Sequence, residues 1–364
     1  MSIRHADAAA LAAALQASRS DTLATFAACA GASVPQLATL NPPLWELGHL
    51  GWFQTFWIAR NPQRHLGLAA DPDAPRPASA ADALYDSSRV PHATRWTLPL
   101  PDALATQAAL GRQLDATLTL LQTAEDLYFF RLALLHEDMH HEAALYMAQS
   151  LGLPIDDSRW QAQPLDPERQ TLAFAAGSWA LGSAPDGFAF DNELPAHPVA
   201  LPATEIDSRV VSWAEYLPCL DGSRPPRYLR RQGSHWEQWR HGRWLRLDLA
   251  EAACHLSADE AEAWCHWAGR RLPSEAEWER AAIERPAEFA WGQVWEWTAS
   301  RFEPYPGFTP HPYRDYSAPW FGGSRRVLRG ASFMTQPRLH DPRYRNFFPP
   351  GRSDVPAGFR SCAR

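Results

Sequence analysis

The chain has 364 residues, 46% hydrophobic and 21% charged, which is material for two or three domains with packed cores. Its 34 basic residues, all arginine, against 41 acidic ones leave a net charge of −7, which excludes a protein living on phosphate contacts to nucleic acid. No apolar run approaches the ~18 residues that cross a bilayer, and residues 1–30 carry Arg4, Asp7, Arg19 and Asp21 where a secretory signal would be apolar.

The first ~155 residues read as helical. Residues 6–30 are rich in Ala and Leu and end near Gly31. Pro42 and Pro43 open a second segment in which Trp45, Gly48, His49, Trp52, Phe53 and Phe56 crowd together. A third helix follows Pro101 to Leu121, with Leu104, Gln107, Leu110 and Leu114 spaced by three or four. The fourth runs over residues 126–150 and stops at Gly152 and Pro154. With a long connection over residues 61–99, four helices predict a bundle. Residues 71–80, rich in Pro and Ala, predict a surface loop.

Beyond Pro154 the texture changes to Pro, Gly, Trp and short β-like runs, with one good helix over residues 257–268. The boundary is expected near 155–170, dividing the chain into residues 1–160 and 161–364. The fold class expected is α+β. Cys29, Cys219, Cys254, Cys265 and Cys362 are odd in number and form no CxxC pair, so a reduced, cytoplasmic protein is expected. Small-molecule substrates are expected, without a membrane, a nucleic acid or an obligate protein partner.

The strongest chemical signal is His136-Glu137-Asp138-Met139-His140-His141-Glu142. Histidines four apart on a helix project from one face and can grip one metal ion. His141 points elsewhere, and Glu142 could orient a ligand from outside the coordination sphere. The same residues match HExxH, in which Glu137 would be the general base of a zinc hydrolase. They also match a polar stripe on a buried helix. A third imidazole, His49, sits in a segment too apolar to be a solvated face, which favours a three-histidine site. Three neutral imidazoles suit Fe(II), Zn or Cu alike.

The second half resembles the sulfatase-modifying-factor fold, a formylglycine-generating-enzyme-like variant of the C-type-lectin topology. The likeness lies in ordered pieces: Ala176-Gly177-Ser178-Trp179, Phe190-Asp191-Asn192-Glu193, Gly269-Arg270-Arg271-Leu272-Pro273-Ser274-Glu275-Ala276-Glu277-Trp278, Gly292-Gln293-Val294-Trp295-Glu296-Trp297, Arg329-Gly330-Ala331-Ser332 and Gly358-Phe359-Arg360. These residues read as scaffold, held by stacking and by buried Arg–carboxylate pairs. A copper-holding cysteine pair is lacking, because Cys362 has no partner near it in sequence.

A three-histidine, DinB-like four-helix bundle ahead of this fold resembles the hercynine-processing non-heme iron enzymes: ergothioneine sulfoxide synthases (EgtB), the ovothiol enzymes (OvoA) and selenoneine synthases (SenA). The resemblance implies Fe(II) on His49, His136 and His140, Glu142 completing the motif, and O2 as co-substrate. It implies Tyr313 as proton donor in the oxygen chemistry, Tyr316 as its neighbour, and Asn346 on one end of hercynine. Phe347 or Phe348 would line the pocket for the trimethylammonium group, which ring faces hold because it cannot donate a hydrogen bond.

Three departures bear on the donor. Met139 stands where relatives have a hercynine-contacting Gln, and Phe348 where relatives that grip γ-glutamylcysteine have Asp. The stretch Asp86-Ser87-Ser88-Arg89 replaces an Asn-Ser-aromatic run. Hydroxyl-rich contacts from these residues suit a selenosugar, so a selenoneine synthase is the first expectation. An ergothioneine-type enzyme using cysteine or γ-glutamylcysteine is the alternative, and a zinc hydrolase the more remote one.

Overall fold

The computed structural model describes residues 2–27, 29, 32–220, 222 and 224–364. The chain forms two compact units: residues 1–155 with 311–315, and residues 156–310 with 316–364. Five residues of the second half are thus part of the helical unit by their contacts.

The helical unit contains α1 (Ala8–Ala27), α2 (Pro43–Gln54), a short α3 (Asp82–Tyr85), α4 (Ala103–Leu121) and α5 (Tyr128–Leu151). The expected end of the first helix at Ala30 and Gly31 lies outside the described residues. Each start has a local cause. The Asp7 carboxylate accepts from the Ala10 amide at 2.9 Å, Pro43 takes the first turn of α2, and Asp102 accepts from Ala105 at 2.8 Å. Gly152, at φ 72°, ends α5 in the left-handed conformation that a β-carbon would strain. Five residues of π-helix, Thr55–Ala59, follow α2 and carry Phe56 and Trp57.

Leu47 and Leu50 of α2, Leu110 of α4, and Ala144 and Met147 of α5 share one core with Phe26 of α1. Each large side chain so buried contributes about 1.5–3 kcal/mol. A buried polar seam crosses the same helices. Arg19 of α1 grips Glu137 of α5 with Nε at 2.7 Å and Nη2 at 3.0 Å, and Gln54 of α2 donates to the same carboxylate at 2.7 Å. Ser18 donates to Asp138 at 2.7 Å. Removing either partner of such a pair costs about 3–5 kcal/mol, because it strands a buried charge.

The second unit is built from small antiparallel sheets. Strand β1 (Thr171–Phe174) pairs with β4 (Thr204–Asp207), and β2 (Gly177–Leu181) with β3 (His197–Leu201). Strands β5 (Leu229–Gln232), β6 (His235–Arg240) and β7 (Arg243–Arg246) form a ribbon. The largest sheet runs β10 (Asn346–Phe348), β9 (Arg326–Gly330), β8 (Trp295–Arg301), β11 (Ala357–Gly358), with only the last pair parallel. Helices α6 (Trp213–Tyr216), α7 (Ala258–Trp267) and α8 (Glu275–Glu284) all open with a capping box, Ser212/Glu215, Ser257/Glu260 and Ser274/Glu277. The sequence reading expected one good helix here and missed α8, whose box was legible in Ser274-Glu275-Ala276-Glu277.

The expected Arg–carboxylate scaffold is present and fully buried. Arg345 grips Glu275 with Nε at 2.8 Å and Nη2 at 3.0 Å, Arg360 grips Glu296 with Nη2 at 2.7 Å, and Arg329 pairs with Glu279. The Trp278 indole also donates to Glu296, at 2.8 Å. No helix among the described residues is long and apolar enough to cross a membrane.

This unit carries two buried histidines with positive φ, His241 at 40° and His255 at 60°. Burial lowers both from 6.5 to about 4, helped by Arg240 at His241 and by His241 at His255. Between those values the unfolded chain binds protons that the folded one refuses. Their contribution to stability is therefore full above pH 6.5 and falls as the pH drops towards 4. Denaturant midpoints are expected to be lower at pH 5 than at pH 7. His255→Asn, which tolerates the left-handed backbone, should flatten part of that slope; an unchanged slope contradicts the assignment.

Candidate active site

His49, His136 and His140 come together. Their ligand atoms all lie within 4.8 Å of one another, and the ring centroids stand 5.2, 5.1 and 4.4 Å apart. Helix periodicity puts His136 and His140 on one face of α5, and α2 brings His49 against them.

Two rings are held through Nδ1 and the third, His136, by stacking. The Nδ1 of His49 meets the Tyr85 carbonyl at 2.8 Å, and the Nδ1 of His140 meets the Glu46 carboxylate, leaving Nε2 of both rings for a ligand. Trp45 stacks on His49 at 5.0 Å and 8°, and Phe53 stacks on His136 at 3.5 Å and 4°. Gly48 makes the Tyr85 contact possible, since a β-carbon there would lie 2.2 Å from the Tyr85 ring.

Burial, with the neighbouring His140, lowers His49 to about 3 and holds His136 well below its ordinary value. Both rings are therefore neutral at physiological pH, the form in which imidazole binds a metal. Glu46 moves the other way from what burial alone would do. Its environment tends to raise the carboxyl, but His140, His49 and the Asn41 amide outweigh that and hold it at about 2. Three converging imidazoles, two of them backed through Nδ1 by a carbonyl and by an ionised carboxylate, fit a divalent transition metal.

Glu46, three residues before His49, was missed by the sequence reading. The signal was there: an acid inside an apolar run needs a partner. Glu142 is buried on α5, while the carboxylate on His140 is Glu46. His141 meets Thr25 Oγ1 at 2.9 Å on another face. Glu137 corrects the hydrolase expectation, because both its oxygens are held by Arg19 and Gln54 and it has no freedom to act as a base. Replacing Glu46 by glutamine is expected to weaken metal binding by roughly 10- to 100-fold while leaving one ion per chain at saturation. Competition with a chromophoric chelator reads this; unchanged affinity would remove Glu46 from the site.

Tyr313 belongs to the helical unit. Its ring meets Phe53 edge-on at 4.9 Å, Trp57 at 6.0 Å and His136 at 6.0 Å. Two contacts pin its segment: the Tyr128 hydroxyl at the start of α5 reaches His311 Nδ1 at 3.3 Å, and Arg314 pairs with Asp73. A cavity of about 600 Å³ opens beside Tyr313, walled by Trp52, Phe56 and Trp57 and by Asp86, Ser87, Ser88 and Arg89. Asp86 accepts from the Ser88 hydroxyl at 2.6 Å and pairs with exposed Arg89 at 3.4 Å. Residues 72–76 and Ala78, expected as a surface loop, supply another wall.

The remaining candidates lie elsewhere. Met139 is half-buried on α5. Tyr316 is in the second unit, where its hydroxyl donates to Tyr344 at 2.9 Å, its ring stacks on Phe190 at 4.4 Å, and burial holds its phenol well above the usual range. Asn346 sits on β10 and accepts from the Phe347 amide at 2.9 Å. Phe347 stacks on Phe302 at 3.9 Å, and Phe348 lies under the Arg352 guanidinium at 4.8 Å.

Residues 157–293 and 288–364 match the sulfatase-modifying factor enzyme 1-like domain family. Hercynine oxygenase of Mycobacterium tuberculosis is 31% identical over 392 residues, covering 88% of this chain and 90% of that protein. Hercynine oxygenase of Mycolicibacterium smegmatis is 30% identical over 402 residues, covering 88% and 90%. Ergothioneine biosynthesis protein 1 of Schizosaccharomyces pombe is 24% identical over 201 residues, covering 45% of this chain and 26% of that protein. With that span of likeness, the chain belongs to the family of the hercynine oxygenases and carries a sulfatase-modifying factor-like domain as its second half.

Proposed function

We propose that this chain is an O2-dependent, non-heme iron oxidoreductase that forms a bond between a carbon of the hercynine imidazole and a chalcogen donor. The observation that carries the reading is the three-histidine cluster with a phenol beside it, the Tyr313 ring lying 6.0 Å from that of His136. Fe(II), held by His49, His136 and His140, would supply the site at which oxygen and the donor are activated. Glu46 and the Tyr85 carbonyl fix the rings, so the ligand set needs little reorganisation. Tyr313 supplies a proton at its hydroxyl as a general acid, and so keeps oxygen from being spent on the donor alone. Phe53, Trp57 and Trp52 keep water from that side of the cluster.

The name of the Schizosaccharomyces pombe relative, Ergothioneine biosynthesis protein 1, favours an ergothioneine-type reaction. One observation favours the selenosugar as a second reading: aromatic faces and the hydroxyl-bearing stretch of residues 86–88 wall the same cavity, as a sugar would require. The deciding assay supplies hercynine, Fe(II) and oxygen with L-cysteine, γ-glutamylcysteine or a selenosugar in turn, and follows products by mass. A hercynine adduct with one donor establishes the reaction and the donor together. Hercynine left unconsumed with all three overturns the reading.

If the sugar occupies residues 86–88, Ser87→Ala with Ser88→Ala should raise its KM several-fold, at about 1 kcal/mol per lost hydroxyl contact, and barely touch that of hercynine. Parallel KM series for both substrates check this. A rise for hercynine alone would assign the stretch to the other substrate.

A further inference from the structure

Four arginines line the cavity beside Tyr313: Arg60, Arg76, Arg89 and Arg314. Three have a carboxylate. Arg60 holds Asp82 at 2.7 and 2.8 Å, Arg89 meets Asp86 at 3.4 Å, and Arg314 pairs with Asp73. Arg76 differs. Its Nη1 donates to the carbonyls of Pro72 at 2.9 Å and Ala74 at 3.1 Å, while Nε and Nη2 are shielded from bulk water and have no hydrogen-bond partner. Its guanidinium lies over Phe56 at 4.2 Å and Trp57 at 5.0 Å.

The Nε and Nη2 hydrogens form one edge of the guanidinium and point the same way, the spacing that takes both oxygens of a carboxylate. This protein uses that edge repeatedly. Arg19 on Glu137, Arg345 on Glu275 and Arg360 on Glu296 each present Nε and Nη2 to a buried carboxylate. In Arg76 the same edge is left without a carboxylate at the wall of the cavity. Leaving two sheltered donors unmade is costly, so the pattern calls for an occupant.

We propose that Arg76 is a substrate-binding residue whose Nε–Nη2 edge takes the carboxylate of a small molecule in this cavity, either hercynine or an amino-acid donor. The proposal rests on the reading of the cavity as a substrate site. Nε and Nη2 are closed to solvent while Nη1 is held by Pro72 and Ala74, so an incoming carboxylate has to turn the guanidinium to reach that edge. The rings of Phe56 and Trp57 keep the guanidinium on that wall. Burial, with Arg60 close by, weakens the hold on its proton relative to an exposed arginine, and a bound carboxylate reverses that penalty.

The test is equilibrium binding to the full-length, iron-loaded protein without oxygen, followed by titration calorimetry. Two pairs of probes each differ by one carboxylate: hercynine against its decarboxylated analogue, and L-cysteine against cysteamine. In the wild type, one carboxylate-bearing probe should bind roughly tenfold or more tightly than its counterpart. Arg76→Met should abolish that gap for the same pair and leave the other pair unchanged, which names the substrate that Arg76 holds. Arg76→Lys, which keeps the charge but not the fork, should restore part of it and serves if the methionine variant folds poorly. Probes that bind the wild type with no gap in either pair, or a gap that survives in Arg76→Met, overturn the proposal alone. Failure of all four to bind the wild type overturns it together with the reading of the cavity.

Discussion

Replacing His49 by alanine is expected to abolish both metal retention and turnover. The two histidines left on α5 are four residues apart and still face one another, with ring centroids 4.4 Å apart, but two imidazoles do not make a selective site. The loss of affinity should exceed the roughly 10- to 100-fold that removal of an outer partner such as Glu46 costs. Metal analysis after gel filtration, with a denaturation curve on the same sample, separates ligand loss from misfolding. A variant that keeps one iron per chain would place the metal elsewhere.

Replacing Tyr313 by phenylalanine is expected to leave metal content unchanged and to cut formation of the hercynine adduct by about 10²- to 10⁴-fold, the range of a positioned general acid. The ring contacts to Phe53 and Trp57 survive this substitution, so only the hydroxyl is tested. Oxygen uptake should continue at the donor's expense, giving oxidised donor without adduct. Product analysis alongside oxygen consumption reads this. Retained coupling would move the proton donor to another group. The equivalent change at Tyr316 should cost less, because that hydroxyl is committed to Tyr344.

The long helices were legible from different local signals: a period in α4 and a stop in α5. Leu110 and its neighbours set the face of α4, and Gly152 ended α5. The histidines were legible for the same reason, since spacing four on a helix is a geometric statement. What stayed hidden depended on contacts far apart in sequence. Glu46 could be read as a buried acid needing a partner, but nothing local said that the partner was His140, 94 residues away. Glu137 looked like a catalytic base until Arg19, 118 residues earlier, was seen to hold it. Residues 311–315 read as part of the second half, and contacts distant in sequence attach them to the helices: Tyr128–His311, Asp73–Arg314 and the Tyr313 ring against Phe53, Trp57 and His136. Residues 71–80 looked like a surface loop by composition, yet Ala74 is buried and Arg76 walls the cavity.

X-ray absorption of the iron-loaded protein tests the central claim most directly. The account predicts one iron per chain with three imidazole nitrogens at about 2.0–2.2 Å, lost in the His49 variant and perturbed when hercynine and a donor are added. Iron bound by fewer than three imidazoles, or a spectrum indifferent to His49 and to both substrates, would contradict it.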